Sequence, residues 1–174
     1  MDEIQIREKV GTDEKSTFES LVFRYREQAL RVAFRYLRNW EEAADCVQEA
    51  FLKAFDGLNR NGFPQKFSSW FFRILVNQCL DNLRSARKRL EMPLEMRGEP
   101  QTGGFEEQVN AHLTAQELLE GLPPKLRSLV ILHDLEGFSF AELADMLGRS
   151  ESAVRGLLFR ARKKLAQFFA ENEK

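Results

Sequence analysis

Cysteine is nearly absent. The two in 174 residues, Cys46 and Cys79, form no CxxC pair and stand near no clustered histidine. A disulfide framework or a zinc site is therefore not expected, and two reduced thiols packed among apolar neighbours are. Histidine is as scarce: His112 and His133 lie at no metal-ligand spacing, and no glycine-rich phosphate loop or nucleophile motif occurs. The pattern offers no catalytic, cofactor or metal site, and an enzyme is not expected. Apolar runs fall far short of the roughly 20 residues of a membrane helix, and the charged stretch Met1–Val10 does not read as a secretory leader. A cytoplasmic protein with no membrane insertion of its own is the expectation.

What is present is ordinary in total and uneven in place. Hydrophobic content of 43% with 30% charge suits a globular chain and is too apolar for disorder, and the length suits one domain or two small ones. The net charge of -1 conceals a segregation. Basic residues outnumber acidic ones 16 to 13 over 1–90, trail them 1 to 5 over 91–112, and equal them at 9 each over 113–174. Residues 66–89 hold Lys66, Arg73, Arg84, Arg87, Lys88 and Arg89 against the single acid Asp81. Residues 150–165, SESAVRGLLFRARKKL, hold five basic residues against Glu151. Local charge of one sign is what a reader of polyanions needs.

The periodicity is helical throughout, with no sustained strand alternation. A capping box at Ser16 and Glu19 predicts one helix, with Phe18, Leu21, Val22, Tyr25, Ala29, Val32 and Tyr36 on its apolar face. Asn39 suits the cap of a second, whose apolar face is Ala43, Val47, Ala50, Phe51, Ala54 and Leu58. Glycine, asparagine and proline predict a turn over 56–64, and a third helix is expected from about Ser68. Residues 91–112, with Pro93, Gly98, Pro100, Gly103 and Gly104, read as a linker. Helix resumes at a capping box of Thr114 and Glu117, restarts at Pro123-Pro124 and stops at Gly137. The fold class expected is all-α: two small helical domains, 1–90 and 113–174, on a flexible acidic tether.

Two segments carry chemistry. In the second domain Ser139 and Glu142 form a capping box, Gly148-Arg149-Ser150 makes a turn, and a basic helix follows. That is a helix-turn-helix pattern. Phe140, Leu143, Ala144 and Leu147 give the first helix a buried face, and Val154, Leu157, Leu158, Ala161 and Leu165 the second. Arg155, Phe159, Arg160 and Lys163 point away from that face. There Arg155 and Arg160 can reach guanine edges or phosphates, while Arg162, Lys163 and Lys164 suit backbone contacts. In the first domain the segment 66–84 has more apolar residues than one face needs. Trp70, Arg73, Asn77, Asp81 and Arg84 recur three or four apart, mixing aromatic, cationic and amide groups as single-strand binders do. The loop beside it, 57–64, could shape a pocket for a flipped base. A core helix with one wet edge explains the same stripe equally well.

EEAADCVQEAFLKAF (41–55), FSSWFFRILVNQCLDNLR (67–84) and LEGFSFAELADMLGRSESAVRGLLFRARKKL (135–165) together resemble a bacterial RNA polymerase sigma factor of the extracytoplasmic function (ECF) type. The resemblance implies a sigma region 2 bundle over 1–90 and a region 4 helix-turn-helix over 113–174. It implies that core RNA polymerase docks on Glu42, Asp45, Gln48, Glu49 and Phe51, with Glu41 among the surface acids that suit a basic partner. It implies that Trp70, Arg73, Asn77 and Arg84 melt and read the minus-ten element of promoter DNA. Arg155, Phe159, Arg160 and Lys163 would then grip the minus-thirty-five element. An anti-sigma factor acting in trans is implied as a further partner. The acidic linker is either a segment threaded toward the RNA exit path or a soluble tether.

This sequence departs from the family's pattern at the entry to the recognition helix. The usual Pro-x-Gly-Thr turn is replaced by Ser150-Glu151-Ser152-Ala153, where Ser150 or Ser152 can still cap. Gly156 and Leu157 stand where a small polar residue and an arginine are usual, so one base-reading position has no side chain. The rival reading is a regulator using the helix-turn-helix alone, with the first domain as a dimerisation or sensing bundle. It leaves unexplained why the DCVQEAF block and the WFFRILVN stripe occur together.

Overall fold

The computed structural model describes residues 14–91 and 115–172. Among these the chain is helical with no strand. The helices are α1 (Glu14–Leu37), α2 (Trp40–Asn61), α3 (Phe67–Glu91), α4 (Ala115–Glu120), α5 (Pro124–Leu129), α6 (Phe140–Leu147) and α7 (Glu151–Asn172). A π-helical stretch, Val130–Leu135, continues α5. The chain divides into two compact units, Met1–Leu83 and Arg84–Lys174, with the division inside α3. The expected linker lies outside the described residues except for Glu91.

In the first unit α1 and α2 form a hairpin. Arg38 makes the corner in the left-handed region, φ 56, with its amide closing on the Phe34 carbonyl at 2.8 Å. Asn39 then caps α2 as its sequence position predicts: Oδ1 accepts from the amides of Glu41 and Glu42 at 2.9 and 3.2 Å. Trp40 stacks on Phe34 across the corner, centroids 4.0 Å apart. The expected capping box at Ser16 is not what starts α1. The helix already runs from Glu14, so Ser16 is inside it, and its carbonyl accepts the Ser20 hydroxyl.

The core is aromatic where three helices meet. Phe71 and Phe72 of α3 are fully buried. Phe51 of α2 stacks on Phe71 at 4.3 Å, and Tyr25 of α1 meets Phe72 edge-on at 5.9 Å. Pairs of this geometry add about 0.5–1.5 kcal/mol beyond the area they bury. The expected turn over 56–64 is shorter than its composition suggests. α2 carries through Gly57, Leu58 and Asn59 and ends at Asn61, with Gly62 (φ 73) bonding back to Leu58. Leu58 is buried there, and its burial outweighs the helix-breaking tendency of its neighbours.

In the second unit Pro123 and Pro124 start α5 and Gly137 (φ 76) closes the π-helical stretch, both as expected. Thr114 lies outside the described residues, so its capping box does too. The Arg127 guanidinium donates to the carbonyl of Glu120 at 2.7 Å, satisfying the end of α4. Leu122, Leu129, Ile131, Leu143, Val154 and Leu158 form this unit's core.

Candidate nucleic-acid interface

The helix-turn-helix is built by local hydrogen bonds that the sequence specifies. Ser139 Oγ accepts from the Glu142 amide at 3.2 Å, and Glu142 Oε2 accepts from the Ser139 amide at 2.8 Å, completing the capping box of α6. Gly148 takes φ 60 at the end of α6, where a residue with Cβ would be strained. Ser150 then caps α7, its Oγ accepting from the Ala153 amide at 3.2 Å. Of the two serines offered by the sequence, Ser150 is the cap.

Val154, Leu158 and Ala161 bury one face of α7, and Arg155, Phe159, Arg160, Lys163 and Lys164 are all exposed on the rest. Phe159 is 70% exposed, so its ring is open to a partner on that face. The arginines are not equivalent. Arg155 lies over the Phe140 ring, 4.1 Å from its centroid, and pairs with Glu151 at 3.2 Å. His133 meets the same ring at 4.3 Å, and its Nδ1 lies 2.6 Å from the Phe138 carbonyl, so Nδ1 carries the proton and donates. Arg155 is thus aimed by α6 and by its own helix. Arg162 is held by Asp134 through two guanidinium bonds, Nε at 3.1 Å among them, and this bonding pushes its pKa up. It ties α7 to the π-helical stretch, a task that takes it away from the phosphate contacts its position suggested. Gly156 is exposed, and a Cβ built on it would meet nothing within 4 Å.

The α3 stripe is an exposed edge on a buried helix. Arg73, Asn77, Asp81 and Arg84 are exposed in series, while Trp70 is half-buried. Trp70 lies against the last turns of α2. A Cβ at Gly57 would stand 2.9 Å from the indole, closer than van der Waals contact allows. Gly57 is the residue that lets the ring approach so closely, and it is helical, not part of the expected turn over 56–64. The non-helical stretch beside the stripe is only 62–66.

The acidic face of α2 is exposed at Glu41, Glu42, Asp45, Gln48 and Glu49. Phe51 is buried on the opposite side, where its place is structural. Leu52 and Phe55 continue the exposed row at 60% and 36%, giving the face an apolar end that sequence reading missed. The available signal was their phase, since both fall between the buried positions Phe51, Ala54 and Leu58. The face is also wired to α3. Gln78, buried, donates to Glu49 Oε2 at 2.5 Å and to Asn82 Oδ1 at 3.1 Å, and it accepts from the Lys53 ammonium. Glu49 is therefore held in place rather than free to swing.

Set against known proteins, the chain matches two family models: Sigma-70 region 2 over residues 21–89, and Sigma-70, region 4 over 112–165. An all-helical protein with these two regions is a transcription initiation factor of the sigma class. Its relatives narrow this further. It is 35% identical to the ECF RNA polymerase sigma factor SigM of Mycobacterium tuberculosis, covering 88% of this chain and 78% of that one. It is 29% identical to the ECF RNA polymerase sigma-E factor of Escherichia coli K12, over 90% and 88%. Its fold aligns with the solved structure of CnrH in complex with the cytosolic domain of CnrY, TM-score 0.69 at 25% identity, covering 98% and 97%. The chain belongs to the ECF family of RNA polymerase sigma factors. Such a factor binds core RNA polymerase and directs promoter-specific initiation.

Proposed function

We propose that this sigma factor divides its work among three helices. The exposed row of α2, with Glu42, Asp45, Gln48 and Glu49, docks on core RNA polymerase, and Phe51 supports it from the core. The α3 stripe of Trp70, Arg73, Asn77 and Arg84 receives the unstacked bases of the minus-ten element. The outer face of α7, with Arg155, Phe159, Arg160 and Lys163, reads the minus-thirty-five duplex. The observation that carries this reading is an exposed acidic row, an exposed polar stripe and an exposed basic recognition helix in one chain. A duplex-only regulator needs just the last of them.

The division into residues 1–90, 91–112 and 113–174 follows the same reading, as does action in the cytoplasm, where polymerase is. No helix among the described residues is long and apolar enough to cross a membrane. Control by an anti-sigma factor acting in trans belongs to the same reading, and it is in keeping with CnrH, a protein of similar fold solved in complex with a partner, the cytosolic domain of CnrY. No catalytic role is assigned, and among the described residues no cluster of His, Cys, Asp or Glu could hold a metal.

The test is capture of core RNA polymerase by the purified chain, followed by run-off transcription from a fragmented genomic library. Binding with discrete transcripts supports the reading and identifies the promoters. Duplex binding without polymerase capture would transfer the chain to the helix-turn-helix regulators.

A further inference from the structure

Cys46 and Cys79 are 33 residues apart in sequence, and nothing in their spacing pairs them. The fold brings them together: Cys46 of α2 and Cys79 of α3 face each other with Sγ atoms 3.4 Å apart, both completely buried. The remainder of the α2–α3 seam is antiparallel, with Glu49 against Gln78, Phe51 against Phe71 and Gly57 against Trp70. The thiol pair therefore closes a seam whose one side carries the acidic row and whose other side carries the polar stripe. We propose that Cys46 and Cys79 are a redox modification site, forming a reversible disulfide that staples α2 to α3 and alters the polymerase-facing surface.

A disulfide needs about 2.05 Å between sulfurs, so oxidation draws the two helices together locally. Cys46 follows Asp45, and Cys79 follows Gln78, the residue that holds Glu49 and Lys53. Any adjustment at the staple is passed to those side chains. In the closed seam the pair is protected. The hydrogen bond between the sulfurs, with burial, pushes the Cys79 thiol far above its usual range, so it stays protonated, and the thiolate is the reactive form. Exchange consequently proceeds from a locally opened seam, which sets a threshold rather than a rapid response.

With oxidised glutathione the atoms balance simply. One cysteine thiolate attacks the glutathione disulfide and expels a glutathione thiolate. The other cysteine thiolate attacks the mixed disulfide, closing the Cys46–Cys79 bond and expelling the second glutathione. The two protons lost by the cysteines end on the two glutathione thiols.

The experiment places the full chain, without denaturant, in glutathione buffers of stepped ratio, then quenches, alkylates and weighs it. The expected product takes up no label, is lighter by two hydrogens, reverts with dithiothreitol, and is absent from Cys46→Ala and Cys79→Ala. Labelled thiols or only glutathione adducts in the fully oxidised buffer overturn the proposal. Core polymerase binding is measured on the same samples, this part resting on the sigma reading above. Binding should fall on oxidation in the native chain and be indifferent to the buffer in Cys46→Ala. Equal binding by the oxidised and reduced chains overturns the surface effect. Absence of binding by the reduced chain defeats the sigma reading itself, and the mass measurement still decides the disulfide.

Discussion

Gly156 is the residue whose cost is easiest to isolate. It lies mid-helix in α7, exposed, with nothing within 4 Å of where a Cβ would stand. Gly156→Ala should therefore stabilise the second unit by about 0.8–1 kcal/mol, through helix propensity alone, read as a raised urea midpoint at unchanged slope. The same helix offers a paired contrast between arginines. Arg162 is committed to Asp134, Arg155 is shared with Phe140 and Glu151, and Arg160 is exposed on the recognition face. Arg160→Ala should weaken binding of a minus-thirty-five duplex by about 1–3 kcal/mol if it reads a base edge, with core polymerase affinity unchanged. Parallel loss of both affinities would mean that α7 does not have a DNA-specific face.

At the scale of elements the test falls on the α2–α3 seam. Gly57→Ala inserts a methyl group 2.9 Å from the Trp70 indole, and the ring has to give way. Promoter opening should drop while minus-thirty-five duplex binding holds, measured by permanganate reactivity of unpaired thymines and by duplex titration. Asn77→Ala, on the exposed edge one turn beyond Arg73, should impair opening in the same assay without lowering the melting temperature. Unchanged opening in that variant would return the stripe to a wet edge of a core helix. These elements also show which parts of the fold the sequence exposes. Asn39, Ser139, Ser150, Pro124 and Gly148 were legible because each acts on amides or dihedrals a few residues away. The end of α2 was not, because Gly57 and Asn59 are helical only by virtue of what Leu58 and Trp70 bury against. The Arg155–Phe140 and Arg162–Asp134 contacts were likewise hidden, since they join residues 15 and 28 apart in sequence by way of the packed α6 and π-helical stretch. Exposure of Leu52 and Phe55 is readable from helical phase, since both fall outside the apolar face of Ala43, Val47, Ala50, Phe51, Ala54 and Leu58, but phase alone does not join them to the acidic row.

At the scale of the molecule, the two units have separate cores, one built on Phe71, Phe72 and Leu75 and the other on Leu129, Ile131 and Leu158. Units of this size sit near the lower limit for independent folding, but many such domains do fold alone. Residues 1–90 and 113–174, expressed as separate chains, should each unfold cooperatively in urea. The first should retain capture of core polymerase and the second should retain minus-thirty-five duplex binding. Promoter-directed transcription should nevertheless be lost when the two are mixed at the concentration at which the intact chain is active. Joining them makes the second engagement intramolecular, at an effective concentration far above what free halves reach at working dilution. Raising both halves together should recover transcripts from the same start sites. Failure to recover them, with both binding activities intact, would show that residues 91–112 contribute more than a connection, and would favour the threaded acidic segment over the plain tether.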